Sequence, residues 1–192
     1  GFERGAVVSG PRRAWAMTAL AKVGYGPVSI EAFYLDPNEL ASSDTRTRIA
    51  GGKAEWTLGP TEFVGIAFGE VLGSTAPYPQ VAPGGLGPPV IIPDARRGLQ
   101  FVNAYLRFNP LGSLAPGFWV GGDIAFQRNE RIRLTAWAGR VEIGRTFADL
   151  PFRPTFSYAF QTFSGDKPGT AALERFDPLF YDGGQSAWAS GS

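Results

Sequence analysis

The sequence has no cysteine and no histidine, a single methionine, and three lysines (Lys22, Lys53, Lys167) among its 18 cationic residues. Each shortage removes chemistry. Without histidine or cysteine there is no Ser-His-Asp or Cys-His nucleophile, no Cys/His zinc site and no disulfide. Hydrolysis would have to work through carboxylates, Lys or Tyr. Charge is also scarce: Lys+Arg 18 against Asp+Glu 17 leaves a net charge of +1, with no basic run, which argues against a nucleic-acid partner. No apolar run approaches the ~18 residues of a membrane helix. Helical period is sparse because the 26 Gly and 16 Pro interrupt most windows.

Aromatics, at 14%, are too many for a disordered chain, and the length suits one domain or part of one. The excess of Arg over Lys has two readings. One is genomic base composition. The other is a use for the planar guanidinium fork, which suits carboxylate ligands.

What recurs is alternation of period two, the signature of strands with two different faces. Eight such segments are expected, at 13–23, 27–35, 47–58, 61–72, 98–109, 117–128, 130–143 and 152–163. In the fifth, Val102, Ala104, Leu106 and Phe108 alternate with Asn103, Tyr105 and Arg107; in the sixth, Phe118, Val120, Ile124 and Phe126 alternate with Asp123 and Gln127. In the fourth, Val64, Ile66 and Phe68 oppose the small Gly65, Ala67 and Gly69. For the seventh we expect Ile132, Leu134, Ala136 and Ala138 on the apolar face, with Arg131, Arg133, Thr135 and Trp137 opposite. Arg140 and Glu142 break that parity near its end, as Arg46 and Arg48 do in the third segment.

The links alternate. Gly24–Gly26, Gly59-Pro60, 110–116 and 144–151 are short; 36–46, 73–97 and 164–192 are long, and the link at Asn129 is a short exception. Such parity fits an antiparallel up-and-down transmembrane β-barrel in a bacterial outer membrane, with short turns at one end and long loops at the other. A soluble sandwich or small barrel also alternates. The segments are nevertheless long against the usual ~5–6 residues of globular strands, and 18% charge is thin for a solvated outer face. The expected fold is all-β: one partial barrel domain over 1–192, of about eight strands. The chain begins at Gly1, without a signal-peptide pattern, and ends in a polar tail at Trp188–Ser192. We expect a mature or internal piece of a larger barrel, truncated at one or both ends.

The segment Tyr158-Ala-Phe-Gln-Thr-Phe-Ser-Gly-Asp-Lys-Pro-Gly-Thr170, followed by Arg175-Phe-Asp-Pro-Leu-Phe-Tyr181, resembles the alginate-export family of outer-membrane proteins. In that family an aromatic-rich strand runs into a Ser-Gly-Asp loop, and a Phe-x-Pro-Leu-Phe segment follows. The corresponding residues are Ser164, Gly165 and Asp166, then Phe176, Asp177, Pro178, Leu179 and Phe180. About thirty residues carry the resemblance. It implies a monomeric barrel of more strands than this chain holds, export of an anionic polysaccharide through an Arg-rich lumen, and periplasmic export partners. It does not fix the substrate.

On the polar faces, Arg107, Arg131, Arg133 and Arg153 are expected to line the lumen together with Lys53, Glu55, Asp123 and Gln161. The arginines either guide carboxylates, by the charge-ring logic of channel selectivity, or pair with Asp123, Glu31 and Glu55 to hold the lumen together. Asp166 reads as an Asx-type turn residue, with calcium ligation as the alternative. Trp56 and Tyr158 have the parity of an aromatic girdle. Trp119 and Trp137 are expected inward, to stack on sugars or pack with lumen side chains. Glu62 and Glu70 tempt a glycosidase reading, but eight residues on one strand separate them by ~27 Å. The expected partners are an anionic polysaccharide or anionic solute and outer-membrane lipid, with no cofactor and no catalysis. A general or substrate-specific porin and a soluble carbohydrate-binding β-domain are the alternatives.

Overall fold

The computed structural model describes residues 17–36, 44–82, 84, 86–167 and 170–179. It is all-β. Ten strands run in order: β1 (Met17–Tyr25), β2 (Val28–Asp36), β3 (Arg48–Gly59), β4 (Glu62–Gly73), β5 (Tyr78–Gln80), β6 (Val90–Ile92), β7 (Gln100–Phe108), β8 (Phe118–Asn129), β9 (Leu134–Thr146) and β10 (Thr155–Phe163). Eight form one antiparallel meander in the order β1-β2-β3-β4-β7-β8-β9-β10. β5 and β6 make a separate two-stranded sheet within the link between β4 and β7, which the alternation did not announce. The eight-stranded sheet is open: among the described residues β1 and β10 are its edges. Residues 13–16 of the first expected segment lie outside the described residues.

Period two separates two faces, and the strand registers carry each face across the sheet. One is bare. Across it run Ala21, Ala32, Gly52, Phe68, Val102, Phe126 and Trp137 in one cross-strand row. The next row is Val23, Ile30, Ala54, Ile66, Ala104, Ile124, Gly139 and Thr162. Val64, Leu106, Val141 and Phe160 belong to the third, and Phe108, Val120, Ile143 and Tyr158 form the fourth. These four rows hold no charge. Glu70, Gln100 and Arg128 bound them at one end, and Arg145, between Phe118 and Phe156, bounds them at the other. Phe68 and Phe160 are about 60% exposed, so nothing among the described residues covers this face there.

The other face is partly covered by the long links. Its core lies at the long-link end, where Ile49, Val71, Leu134, Ala136 and Ala138 pack with Tyr78, Ala95 and Leu99 of one link and Leu173 and Phe176 of the last segment. Burying Ile49 and Leu99 contributes about 1.5–3 kcal/mol each.

This placement corrects the seventh segment. Leu134, Ala136 and Ala138 are on the covered face and buried, whereas Trp137, Val141 and Ile143 are on the bare face. Glu130–Arg133 form a turn, and β9 starts only at Leu134. Its covered side carries small apolar residues because the last segment packs on them. Arg140 and Glu142 therefore conform to the parity of the strand that forms. At the short-link end, Gly117 holds φ +76° and its carbonyl accepts the Thr146 N–H at 2.8 Å. A Cβ there would lie 2.1 Å from the Thr146 carbonyl oxygen, so the close approach of these two segments requires glycine.

Candidate functional site

The covered face carries the charge. Lys22, Glu31 and Lys53 are aligned across β1, β2 and β3, with Lys53 Nζ 3.7 Å from Glu31. The next row aligns Ser29, Glu55, Gly65, Tyr105, Asp123, Arg140 and Gln161. The Tyr105 hydroxyl donates to Glu55 at 2.9 Å, and Asn103 donates to Asp123 at 3.2 Å. Arg140 stands opposite Asp123 and bonds Glu142 at 2.6 Å. Lys53, Glu55, Asp123, Gln161 and Arg107 thus share the face assigned to them from sequence.

Glycines make room for large side chains. A Cβ on Gly65 would lie 2.4 Å from the Tyr105 ring, on Gly69 2.5 Å from Phe101, and on Gly144 2.4 Å from Trp119. Each aromatic ring lies over a glycine of the adjacent strand, an arrangement that covers the glycine and pins the register. The small Gly65-Ala67-Gly69 side of the fourth segment was the trace of this in sequence.

Three expected lumen arginines are elsewhere. Arg131 and Arg133 belong to the β8–β9 turn, where Arg133 has φ +56° and Arg131 donates to the carbonyls of Asp94 (3.3 Å) and Arg97 (3.1 Å). Arg153, with φ +45°, lies in the turn before β10. Only Arg107 of the four is on the face. The pairing of these arginines with Asp123, Glu31 and Glu55 is also corrected, since none bonds them among the described residues. Arg107 instead places its guanidinium 4.0 Å from the Trp119 ring centroid. Trp119 is on the covered face, and Trp137, expected on the same side, is on the bare face beside Phe126. Trp56 and Tyr158 are exposed on the bare face.

The strands therefore present Lys22, Lys53, Arg107 and Arg140 against Glu31, Glu55, Asp123 and Glu142 on the covered face. The signs balance. Arg140 and Glu142, the parity breakers, are the site residues that sequence reasoning missed.

At the short-link end, Arg107 and Trp119 border a cavity of about 300 Å³, together with Glu62, Asn109 and Phe118. The Arg107 Nε and Trp119 Nε1 donors are buried there without an acceptor among the described residues. Glu62 accepts the Asn109 N–H at 3.0 Å.

At the long-link end, the residues of the resemblance close the covered face. The Ser164 carbonyl accepts the Phe176 N–H at 3.1 Å, which brings the two motif pieces together. Asp166 Oδ1 accepts the Tyr78 hydroxyl and the N–H groups of Glu174 (2.8 Å) and Arg175 (3.1 Å). Asp166 is thus a long-range staple and not an Asx turn. Burial first, and then the hydrogen bond to Asp166, push the Tyr78 hydroxyl well above the usual phenol value. The Arg175 guanidinium lies 4.5 Å from the Tyr78 ring centroid. Asp177 takes two bonds from Arg96, and its backbone exchanges bonds with Gln127 at 2.6 and 2.8 Å. Gly165 is exposed and Pro178 half-buried. Phe180 lies outside the described residues.

No family model, curated protein or solved structure matches this chain.

Proposed function

We propose that this chain forms part of the wall of a bacterial outer-membrane β-barrel channel. Its covered face lines the passage of an anionic polysaccharide or a related anionic solute, without catalysis. The observation that carries this reading is the uncharged band of the bare face. Arg128 and Phe118, the latter in register with Arg145, stand ten residues apart on β8. That is about 33 Å along a strand. At a tilt of about 40° it corresponds to about 25 Å of height, which is the height of the lipid-facing band of such barrels. A solvated sheet face would have no reason to confine charge to its two ends.

The covered face suits a wet passage. Its four carboxylates are each paired with a cation or bonded to a neutral donor, which holds the lumen wall together, while Arg107 bonds no carboxylate among the described residues. Arg107 on Trp119, at the border of the cavity, suits a sugar that bears a carboxylate: the indole supplies an apolar wall and the guanidinium an anion partner. The anionic substrate itself rests on the resemblance to the alginate-export family.

One observation favours a second reading in the same class. Four cations against four anions on the covered face give no net positive field, and a general or substrate-specific porin needs none.

Planar-bilayer recordings of the reading frame that contains this chain test both. An anion-over-cation permeability ratio above one, lowered by Arg107→Gln, supports the anionic reading. A channel with a ratio near one supports the porin. A protein that forms no channel and stays in the aqueous phase without detergent would be a soluble carbohydrate-binding β-domain.

A further inference from the structure

Beyond the charge on the covered face, one unbalanced cluster stands at the long-link rim. Arg46, Arg48 and Arg97 border an open cavity of about 270 Å³, with Asp94 as the sole carboxylate in its lining. All three guanidinium groups are exposed, and none has a hydrogen bond or ion pair within the described residues. Among the residues that line it, three cations face one anion.

The backbone beneath them is firmly built. The Thr75 N–H and hydroxyl donate to the Thr45 carbonyl at 2.7 and 3.0 Å, and Thr47 and Ser74 join their hydroxyls at 2.9 Å in the buried floor. Arg46 has φ +50°, with its N–H held by Asp44 at 2.7 Å. Across the cavity, Asp94 also has φ +50°, and Asn129 and Arg131 anchor the Arg97 carbonyl at 2.9 and 3.1 Å. Non-glycine residues in the left-handed region are unfavourable and persist where the surrounding structure holds them. The cluster is thus carried by segments held in unfavourable conformations by specific bonds, and like charges are kept together against their repulsion.

We propose that Arg46, Arg48 and Arg97 form a binding site for a phosphomonoester group. Three guanidinium forks offer more donors than the two oxygens of a carboxylate can take, and a terminal phosphate presents three oxygens. Its charge of about −1.5 to −2 near neutral pH calls for more than one cation, and the lining offers three. The cavity has room for the phosphate and part of its carrier. Leu72, a half-exposed residue of the cavity lining, follows Phe68 and Glu70 of the bare face in the alternation of β4, at the irregularity where its pairing with β3 shifts. A phosphate on a lipid could therefore sit in the cavity with its acyl part along the apolar band, and a phosphate on a soluble molecule could enter from the aqueous side. The lipid source rests on the membrane reading above; the oxyanion site does not.

The test uses the 192-residue chain in a zwitterionic, phosphate-free detergent. Inorganic phosphate, titrated at low ionic strength by calorimetry, should bind saturably. R46Q/R48Q/R97Q should weaken it at least tenfold, R153Q at the opposite end should leave it unchanged, and acetate should compete poorly. Arg97→Gln alone should weaken it about threefold, which keeps the test open if the triple variant fails to fold. Flotation with phosphatidic-acid vesicles against phosphatidylcholine vesicles then separates the sources. Preference for phosphatidic acid, lost in the variant, identifies a lipid phosphate; phosphate binding without that preference identifies a soluble one. Absence of saturable phosphate binding, or equal binding by wild type and both variants, overturns the site without touching the membrane reading.

Discussion

Arg96 and Asp177, 81 positions apart, close on one another through two side-chain hydrogen bonds of 2.8 and 3.0 Å. Both side chains are about four-fifths buried, and Asp177 also accepts the Leu179 N–H at 2.8 Å. This pair fastens the last described segment to the link between β6 and β7. It ties the long-link end over the sheet through a bidentate, charge-assisted contact.

Arg96→Ala should loosen that closure. It leaves a largely buried carboxylate without its cation, which costs about 1–3 kcal/mol. Limited proteolysis within 164–179 should accelerate, while cleavage at the β7–β8 link stays unchanged. Unaltered proteolysis in the variant would mean that the pair is incidental to closure.

The Tyr78–Asp166 bond predicts a response to alkali. The Tyr78 hydroxyl is held above its unfolded value of about 10. A group that keeps its proton longer when folded stabilises the fold fully below the unfolded pKa. That contribution is lost as pH rises from about 10 toward the higher folded value. The closure should therefore weaken above pH 10, seen as faster proteolysis of 164–179. Tyr78→Phe should weaken it already at pH 7 and flatten the alkaline dependence.

Gly65 and Tyr105 should behave as a coupled pair. Gly65→Ala places a Cβ 2.4 Å from the Tyr105 ring, and overpacking of this kind costs about 1–3 kcal/mol. Tyr105→Ala removes the obstacle and also removes the Glu55 donor. Urea unfolding of the double variant should show less destabilisation than the two single losses together. Simple additivity would mean that the ring moves aside freely.

Substitutions on the two faces of β8 and β9 should fail for different reasons. Ile124→Arg sits near the middle of the uncharged band, and a charge near a bilayer midplane costs about 2–4 kcal/mol. It should impair membrane assembly, while Thr135→Arg, beside Arg128 at the edge of the band, is tolerated. Leu134→Arg should be as damaging as Ile124→Arg, through the buried core at its position. It should also destabilise the chain in detergent, where Ile124→Arg is mild.

β2, β4, β7 and β8 were legible because each sets large apolar residues against small or polar ones. β9 was not. Its covered side carries Leu134, Ala136 and Ala138 and its bare side Trp137, Val141 and Ile143, so alternation alone does not say which side is covered. Arg140 and Glu142 held the answer, and they look irregular until the strand start moves from 130 to Leu134. The closure was illegible for another reason. Its ties join residues 81 and 88 positions apart, and no local period reports on a contact between two loops. The arginines at 131, 133 and 153 misled because turns suit charged residues as well as lumens do.

The central claim, that the bare face meets lipid and the covered face water, is tested most directly by spin labels placed singly from 120 to 127 on β8 of the chain reconstituted in lipid vesicles. Accessibility to oxygen should peak at 120, 122, 124 and 126. Accessibility to a polar nickel chelate should peak in antiphase at 121 and 123, whereas 125 and 127, buried under the long-link end, should be low to both. Equal access of the chelate to both sets would contradict the account and leave a sheet with two aqueous faces.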